Sequence, residues 1–224
     1  MKRFFGIYQY AMPLILCPIA YYLWLRRFGQ SHLFALYGIG LPVITAYVVP
    51  GIGTNILRLW EFNTKLRLGK FRLQHGFVFG TASALLVLTC PMPCGIDPGT
   101  VFSCGFVMAA VIGFWNWIYD IAAISAGHIR VYNRQCYEGE GPEAIATDYA
   151  PAYFGTFGFV YGMSLKIGHY YLLEAYNIQV FWIQSAIFLC LCLVLPAAVF
   201  CTISKWKNGY SGIRPYRPRK DEHI

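Results

Sequence analysis

The stretch Phe114-Trp115-Asn116-Trp117-Ile118-Tyr119-Asp120 lies near the end of an apolar run, 101–126, in which Asp120 is the only charged residue. An ionisable side chain is costly to bury inside a membrane helix, so its presence there marks a candidate functional site. Asn116 precedes Asp120 by four residues and Trp117 precedes it by three, which places all three on one helical face. This face predicts a polar or cation-tolerant pocket. The alternative is that Asp120 pairs with an arginine at the membrane boundary and only fixes the packing.

The composition is typical of a protein that resides in a bilayer. The 224 residues are 57% hydrophobic and 12% charged, and the mean hydropathy is +0.47, whereas about 25% of the residues in soluble domains are charged. The net charge of +8 comes from short loops and the C-terminal tail, without a zinc-finger spacing, an RNA-binding motif or a basic-aromatic helix. We therefore expect an integral membrane protein, in a bacterial inner membrane or the endoplasmic reticulum, with no nucleic-acid partner.

Six apolar segments are each close to the ~20 residues that a helix needs to cross a bilayer. They cover 5–25, 33–57, 75–93, 101–126, 151–173 and 179–203. The first is longer than the apolar region of a signal peptide and no small-x-small cleavage site follows it, so we expect it to be retained. The predicted fold is all-α, a polytopic membrane helix bundle of about six transmembrane helices over 1–204, followed by a basic cytoplasmic tail, 205–224.

The positions of lysine and arginine predict the orientation, because cytoplasmic loops carry an excess of both. With both termini cytoplasmic, 15 of the 18 Lys and Arg residues fall on the inside. Arg26 and Arg27 fall outside, and Lys166 lies within the fifth span, three residues before His169. Lys166 approaches the outer boundary, where we expect its side chain to extend to water. Head-group binding or proton relay by Lys166 and His169 is the alternative.

The same topology collects polar side chains at the cytoplasmic ends of the spans. They are Glu61, His75, Asp120, His128, Asn133, Asp148 and Tyr149. Carboxyl groups with perturbed acidity are candidate general acids, and carboxylates that merely neutralise basic loops are the alternative. Aromatic side chains that could face a cation nearby are Trp115, Trp117, Tyr119, Tyr149 and Tyr153.

Three cysteines lie towards the external side. The segment 90–94 (CPMPC) joins the third and fourth spans, and Cys104 lies in the fourth. In an oxidising compartment Cys90 could pair with Cys94, or one of them with Cys104. The sequence is consistent with a structural disulfide or with free thiols. A metal site would lack ligands, because Asp97 is the only Asp or His nearby.

Residues 120–133 (DIAAISAGHIRVYN) resemble the acid-bearing helix and its exit in a superfamily of small integral-membrane carotenoid and terpenoid enzymes. These are the lycopene-cyclase-type cyclases and the related carotenoid hydratases. Their pattern has Asp, Ala and Gly at similar spacing, then an aromatic residue and Asn or Asp, and later a Pro before an aromatic-rich helix. Here 151–154 (PAYF) takes that last place. The segments 60–61 (WE) and 69–71 (GKF) are similar to the acidic helix end in the first half of those proteins.

The resemblance implies a cofactor-independent cyclase, hydratase or isomerase for a hydrophobic isoprenoid or lipid. A protonated carboxyl gives its proton to an alkene or epoxide, and a dry site keeps the carboxyl neutral because desolvation disfavours its charge. The acids of the family carry over to Asp120 and Glu61. The candidate substrate-binding residues are Asn116, Trp117, Tyr119, His128, Asn133, Asp148, Tyr149 and Tyr153.

Two other classes remain open at this point. One is a non-catalytic subunit that binds pigment, quinone or lipid together with partner membrane subunits. The other is a small transporter, for which inverted repeats with paired broken helices are expected. Membrane lipids are expected partners in every case. No Gly-x-Gly-x-x-Gly follows a strand and no Walker pattern is present, so the sequence gives no sign of a nucleotide cofactor.

Overall fold

The structure is a computed structural model that describes residues 1–217. Arg219 and Lys220 of the predicted basic tail lie outside the described residues. The described chain is mostly helical. Its helices are α1 (Lys2–Ala11), α2 (Cys17–Arg27), α3 (His32–Gly51), α4 (His75–Val87), α5 (Pro98–Ser125), α6 (Arg134–Tyr137), α7 (Pro142–Thr147), α8 (Ala150–His169) and α9 (Ile178–Asn208). Short π-helical segments follow α1, α3 and α8, at Met12–Leu16, Ile52–Ile56 and Tyr170–Glu174.

Four continuous helices are long and apolar enough to cross a membrane. They are Lys2–Arg27, His32–Ile56, Pro98–Ser125 and Ile178–Asn208. Helix α4 has only 13 residues, and at 1.5 Å per residue it is about 20 Å long, less than the ~30 Å of a hydrocarbon core. Helix α8 has 20 residues, but its tyrosines, glycines and Lys166 reduce its hydropathy. The structure therefore supports a membrane protein with four candidate spanning helices.

Local sequence explains where the long helices begin and end. Ser31 precedes α3 and accepts a hydrogen bond from the Phe34 backbone N–H, and Asp97 accepts one from Thr100 N at 2.9 Å at the start of α5. Each side chain satisfies a backbone donor that the first helical turn leaves free. Helix α9 ends at Asn208 and is followed by Gly209, whose φ of +74° suits a residue without Cβ. Lys205 and Lys207 of the predicted tail thus belong to this helix.

Helices α5 and α8 pack against each other at the centre of the fold, where glycines allow a close approach. A Cβ atom at Gly158 would lie 2.5 Å from the backbone oxygen of Met108, and one at Gly162 would lie 2.6 Å from that of Cys104. Small residues at a helix–helix contact let two backbones approach and gain dispersion contacts without the loss of side-chain freedom. This pair of helices positions the two ends of the polar site described below.

Within residues 1–217, four short strands in the loops qualify the prediction of an all-α chain. They are β1 (Trp60–Phe62), β2 (Arg67–Leu68), β3 (Phe71–Arg72) and β4 (Ile129–Val131). Strand β1 pairs antiparallel with β4, and β2 pairs with β3. The pairing satisfies backbone donors and acceptors of the loops. They cover a second apolar core that includes Phe5, Phe62 and Ile129.

Lys166 is fully buried, with 0% of its surface exposed. Its ammonium nitrogen lies 3.5 Å from Oε1 of Glu174, and Nδ1 of His169 lies 3.0 Å from the same oxygen. The prediction that Lys166 extends to water is therefore wrong. The π-helical segment Tyr170–Glu174 places a carboxylate beside the lysine, and this pairing allows the charge to stay among the helices.

Candidate functional site

The candidate site lies where α5 ends and the loop that follows it crosses the other loops. Gly127, with φ of +66°, turns the chain out of α5. Strand β4 then pairs with β1, so that Ile129 lies opposite Phe62. This pairing holds His128 under the first helix, where its ring stacks on Phe5 with centroids 5.3 Å apart.

Asp120 is 7% exposed, and its Oδ2 accepts a hydrogen bond of 2.7 Å from the Tyr149 hydroxyl. Tyr149 immediately precedes α8, so the α5–α8 contact sets the geometry of this pair. Among residues 1–217, Asp120 makes no ion pair within 4 Å. In the described chain, Asp120 therefore does not pair directly with an arginine at the membrane boundary.

Arg72 is one of the 15 cations that the predicted topology places in the cytoplasm. In the structure it lies at the centre of the site. It is 0% exposed. One terminal nitrogen donates to Nε2 of His128 at 2.8 Å and the other to Nδ1 of His75 at 2.9 Å. A guanidinium has only donors, so both contacted imidazole nitrogens must carry lone pairs. Both rings are therefore neutral in this arrangement.

The positive charge of Arg72 has no carboxylate within 4 Å in the described chain. Its guanidinium lies 4.8 Å from the centre of the Phe62 ring, and its Nε has no hydrogen-bond partner among the described residues. Asp120 and Tyr119 both lie close enough to interact electrostatically with Arg72. We call Arg72, His75, His128, Asp120 and Tyr149 the polar cluster.

The environment of His128 keeps its ring neutral at physiological pH. Burial, and then the charge of Arg72, lower the pKa of His128 from its usual 6.5 to about 4. Both effects act in the same direction, because each disfavours an imidazolium. This agrees with the hydrogen bond, in which Nε2 of His128 accepts from Arg72.

Glu61 lies apart from the polar cluster, on the outer side of the β1–β4 pair. The Tyr132 hydroxyl donates to its Oε1 at 2.6 Å, and the Lys70 ammonium lies 3.4 Å from its Oε2. The hydrogen bond from Tyr132, assisted by Lys70, lowers the pKa of Glu61 below its usual 4.5. Glu61 is thus an anion at neutral pH and has no proton to donate there.

Asn133 and Asp148 form a network that connects the loops to the end of α9. Asn133 Nδ2 donates to Asp148 Oδ2 at 3.1 Å, and Asn208 Nδ2 donates to Asp148 Oδ1 at 2.8 Å. Gln135 also donates to Asp148, at 3.2 Å. The carboxylate is therefore occupied by amide donors, and its position beside Tyr149 in the chain helps to fix that tyrosine.

Three more of the predicted residues, Asn116, Trp117 and Tyr119, precede Asp120 within about one turn of α5. Asn116 donates back to the Ile112 carbonyl at 2.8 Å, and Trp117 donates to the Thr147 hydroxyl at 3.0 Å. The Tyr119 ring meets Phe5 edge-on at 5.3 Å, and its hydroxyl has no partner in 1–217.

Two other predicted aromatic residues, Tyr153 and Trp115, make none of the contacts described above. Tyr153, a turn into α8, packs edge-on against Phe154 with centroids 5.3 Å apart. Trp115 is 54% exposed, which excludes it as an inward π face.

Two cavities open beside this site. One, of about 420 Å³, has an apolar floor that includes Ile124 and Ile145 and has Glu61 and Arg130 in its lining. The other, of about 520 Å³, lies between α1 and the loops and reaches His128. The polar cluster thus has access to a cavity through the His128 ring.

Cys90, Cys94 and Cys104 are free thiols in the structure, with Cys90 and Cys104 buried and Cys94 exposed. Of the two alternatives that the sequence allowed, the structure adopts the free thiols. In 1–217 no group of three or more His, Cys, Asp or Glu residues is arranged to hold a metal ion.

The sequence contains one local signal for the role of Arg72. It precedes His75 by three residues at the start of an apolar span. The partner that completes the arrangement, His128, comes from a loop 56 residues later, and nothing in the local sequence connects the two.

No protein-family model matches the chain, and comparison with curated proteins and with solved structures gave no match either.

Proposed function

We propose that the chain is a multi-pass membrane enzyme that acts without a cofactor on a hydrophobic isoprenoid or lipid. The reaction is an acid-initiated cyclisation, hydration or isomerisation, with Asp120 as the proton donor. The observation that carries this proposal is the Asp120 carboxyl, buried near the end of an apolar helix and held by Tyr149 at 2.7 Å. In the described chain it is not consumed by an ion pair.

The neighbours of Asp120 support this role because they stabilise the carboxylate left after proton transfer. The Tyr149 hydroxyl already donates to Oδ2, and a hydrogen bond to the charged form favours that form. The unpaired charge of Arg72 acts in the same direction from a longer distance. Donors fixed before the reaction are effective because they need no reorganisation when the charge develops.

The π faces of the site suit a cationic intermediate. Tyr119 lies next to Asp120 in the chain and meets Phe5 edge-on, and Trp117 lies within one turn of Asp120. An aromatic face within about 6 Å of a cation contributes roughly 0.5–2 kcal/mol. Glu61 takes no part as a donor in this proposal, since Tyr132 and Lys70 hold it as an anion.

The proposal includes six membrane crossings with both termini in the cytoplasm. Helices α4 and α8 supply the two crossings beyond the four long helices. Backbone hydrogen bonds from residues 88–90 continue α4 as tight turns. The Phe5–His128 stack and the Tyr216 N to Tyr132 O hydrogen bond of 2.9 Å bring both described chain ends to the same loops. In the sequence, those loops carry seven of the 18 Lys and Arg residues and the two chain ends carry a further eight.

The first test identifies the lipid that the protein carries. The full chain is purified in mild detergent and its lipid extract is analysed by mass spectrometry, together with an absorption spectrum. A co-purifying polyprenoid or carotenoid supports the proposal. A quinone or chlorophyll-type pigment, or tightly held partner chains, would replace it with the non-catalytic subunit.

The second test follows the proton. Protein in liposomes that contain lycopene as the linear probe is incubated in D₂O, and deuterium in the product is measured by mass spectrometry. We expect Asp120→Asn to reduce deuterium incorporation by about 100-fold or more, the range that a positioned general acid supplies. Asp97→Asn, which changes an exposed carboxyl at the start of α5, serves as the control and leaves incorporation unchanged. Full activity of folded Asp120→Asn would refute the role of Asp120.

A further inference from the structure

The cavity of about 520 Å³ has a lining of one electrical sign. Lys2, Lys65 and Arg67 contribute cations, His128 contributes a ring, and no Asp or Glu among residues 1–217 lines it. We propose that this cavity, the basic pocket formed by Lys2, Lys65, Arg67 and His128, binds the phosphate group of an amphiphile. The proposal does not rest on the proposed function, because neither Asp120 nor Tyr149 lines the pocket.

The cations of the basic pocket differ from others in the described chain. Lys70 lies 3.4 Å from Glu61, Arg134 pairs with Glu138 and Lys166 lies 3.5 Å from Glu174. None of Lys2, Lys65 and Arg67 has a carboxylate within 4 Å in 1–217. Three cations that converge on one concave surface without an internal counter-charge raise the local potential and attract an anion.

Arg72 adds charge from behind the pocket. It is fully buried, and it reaches the pocket floor through the hydrogen bond to His128 Nε2 at 2.8 Å. Its Nε lacks a partner in the described residues. A buried charge without an opposite charge is costly, and an anion in the neighbouring cavity offsets part of that cost. The hydrogen bonds to His75 and His128 hold the guanidinium in place beside the pocket.

Hydrogen bonds between neutral side chains hold the walls of the basic pocket together. Gln9, which is buried, accepts hydrogen bonds at its Oε1 from the Thr64 hydroxyl at 3.0 Å and from Gln74 at 3.3 Å. Asn63 donates to the Gly127 carbonyl at 3.2 Å. These bonds connect α1, the β1–β2 loop and the end of α5, so an anion enters a preformed site and orders little chain on binding.

The position of the pocket favours a phosphate carried on an apolar chain over a free ion. Gly6 and Tyr10 of α1 line it, and further along the same continuous helix, Lys2–Arg27, Leu14 and Ile15 are 73% and 58% exposed. A helix that begins beside a cationic pocket and continues with exposed apolar side chains matches a ligand with a charged head and a hydrocarbon tail. A phospholipid and an isoprenyl phosphate share this chemistry.

The test measures ligand binding to the full-length protein in zwitterionic phosphatidylcholine nanodiscs by native mass spectrometry. The probes are phosphatidic acid, farnesyl phosphate, farnesol and inorganic phosphate. The test variant is Lys65→Gln with Arg67→Gln. The control is Lys205→Gln with Lys207→Gln, which removes the same charge from exposed positions at the end of α9.

We expect the test variant to weaken binding of the phosphate amphiphile by about tenfold or more, because charge-assisted hydrogen bonds are strong, while the control variant binds as the wild type does. Tight binding of phosphatidic acid assigns a membrane phospholipid, and tight binding of farnesyl phosphate assigns an isoprenyl phosphate. Equal binding by test variant and wild type would overturn the proposal. So would farnesol or inorganic phosphate binding as tightly as the amphiphiles. Asp120→Asn retains binding, which separates this result from the test of the proposed function.

Discussion

At the scale of single residues, Arg72 decides what the site can do. It holds His75 and His128 through hydrogen bonds that only neutral rings can accept. The charge of Arg72 remains unpaired within 4 Å in the described chain. A protonated His128 would lose its hydrogen bond and place a second cation beside the first. The folded state therefore opposes protonation of this ring.

This opposition predicts a pH-dependent stability. Unfolded chain takes up the proton near pH 6.5, whereas the folded chain holds the pKa of His128 at about 4. The stabilisation is therefore complete above pH 6.5 and is lost as the pH falls from 6.5 towards 4. It amounts to up to about 3 kcal/mol, since one pKa unit corresponds to about 1.4 kcal/mol.

The measurement is the difference in apparent Tm between the wild type and His128→Gln, in detergent at each pH between 7 and 4.5, because His75 and Asp120 also titrate differently in the folded chain and their contributions cancel in this difference. Above pH 4.5 the lowered pKa of Glu61 contributes little to the slope. We expect His128→Gln, whose amide oxygen still accepts from Arg72, to flatten the decline. His32→Gln changes an exposed histidine and should leave the decline intact. An equally steep decline in His128→Gln would contradict the assignment.

At the scale of elements, the contact between α5 and α8 sets the distance between Asp120 and Tyr149. Gly158 faces α5 so closely that a methyl group would lie 2.5 Å from the Met108 carbonyl oxygen, whereas one at Gly155 meets no atom within 4 Å. We expect Gly158→Ala to destabilise the protein by about 1–3 kcal/mol, because an overpacked contact forces the backbones apart. Gly155→Ala is the matched control and should be neutral or slightly stabilising, since alanine favours a helix.

The readout is thermal unfolding in detergent, followed by circular dichroism. A Tm for Gly158→Ala equal to that of Gly155→Ala would show that the two helices are not in the contact described.

The elements also show how far sequence reasoning reaches. The apolar run around Asp120 was enough to predict a helix, and α5 spans Pro98–Ser125. The strands were not predictable, because each has only two or three residues and gains its partner from a distant loop, as Phe62 does from Ile129. The sequence pattern found Asp120 but not Arg72, whose role depends on a histidine brought in by that pairing.

The prediction that Lys166 extends to water was wrong for a related reason. Position along a span predicted a side chain at the boundary, but the outcome depended on Glu174, which a π-helical turn places beside it. Local periodicity carries no information about such a turn. The capping residues Ser31 and Asp97 are the opposite case, since the bonds that they make are local and can be read from the sequence.

At the scale of the whole molecule, the six-span proposal predicts which loops face outwards. Cys94 is exposed in the loop between α4 and α5, and Cys136 lies beyond α5 in α6. Only α5 separates the two in the proposed topology, so they should lie on opposite sides of the membrane. We expect a membrane-impermeant maleimide to label a single-cysteine variant with Cys94 in intact cells, and one with Cys136 only after permeabilisation.

The reversed labelling pattern would invert the orientation, and labelling of both variants from one side would mean that α5 does not cross. A variant without cysteine provides the background. Because the four long helices alone are compatible with other arrangements, this measurement distinguishes between them.

The Arg72 arrangement has a last consequence, for the movement of protons. The two rings are locked in opposite tautomers, since His128 presents the lone pair of Nε2 and His75 that of Nδ1. A guanidinium offers no lone pair of its own. No proton can therefore pass from one ring to the other through Arg72, although both rings bond to it. Arg72 thus breaks the direct hydrogen-bonded route between the two imidazoles, so that the row His75–Arg72–His128 holds the rings in place without conducting protons between them.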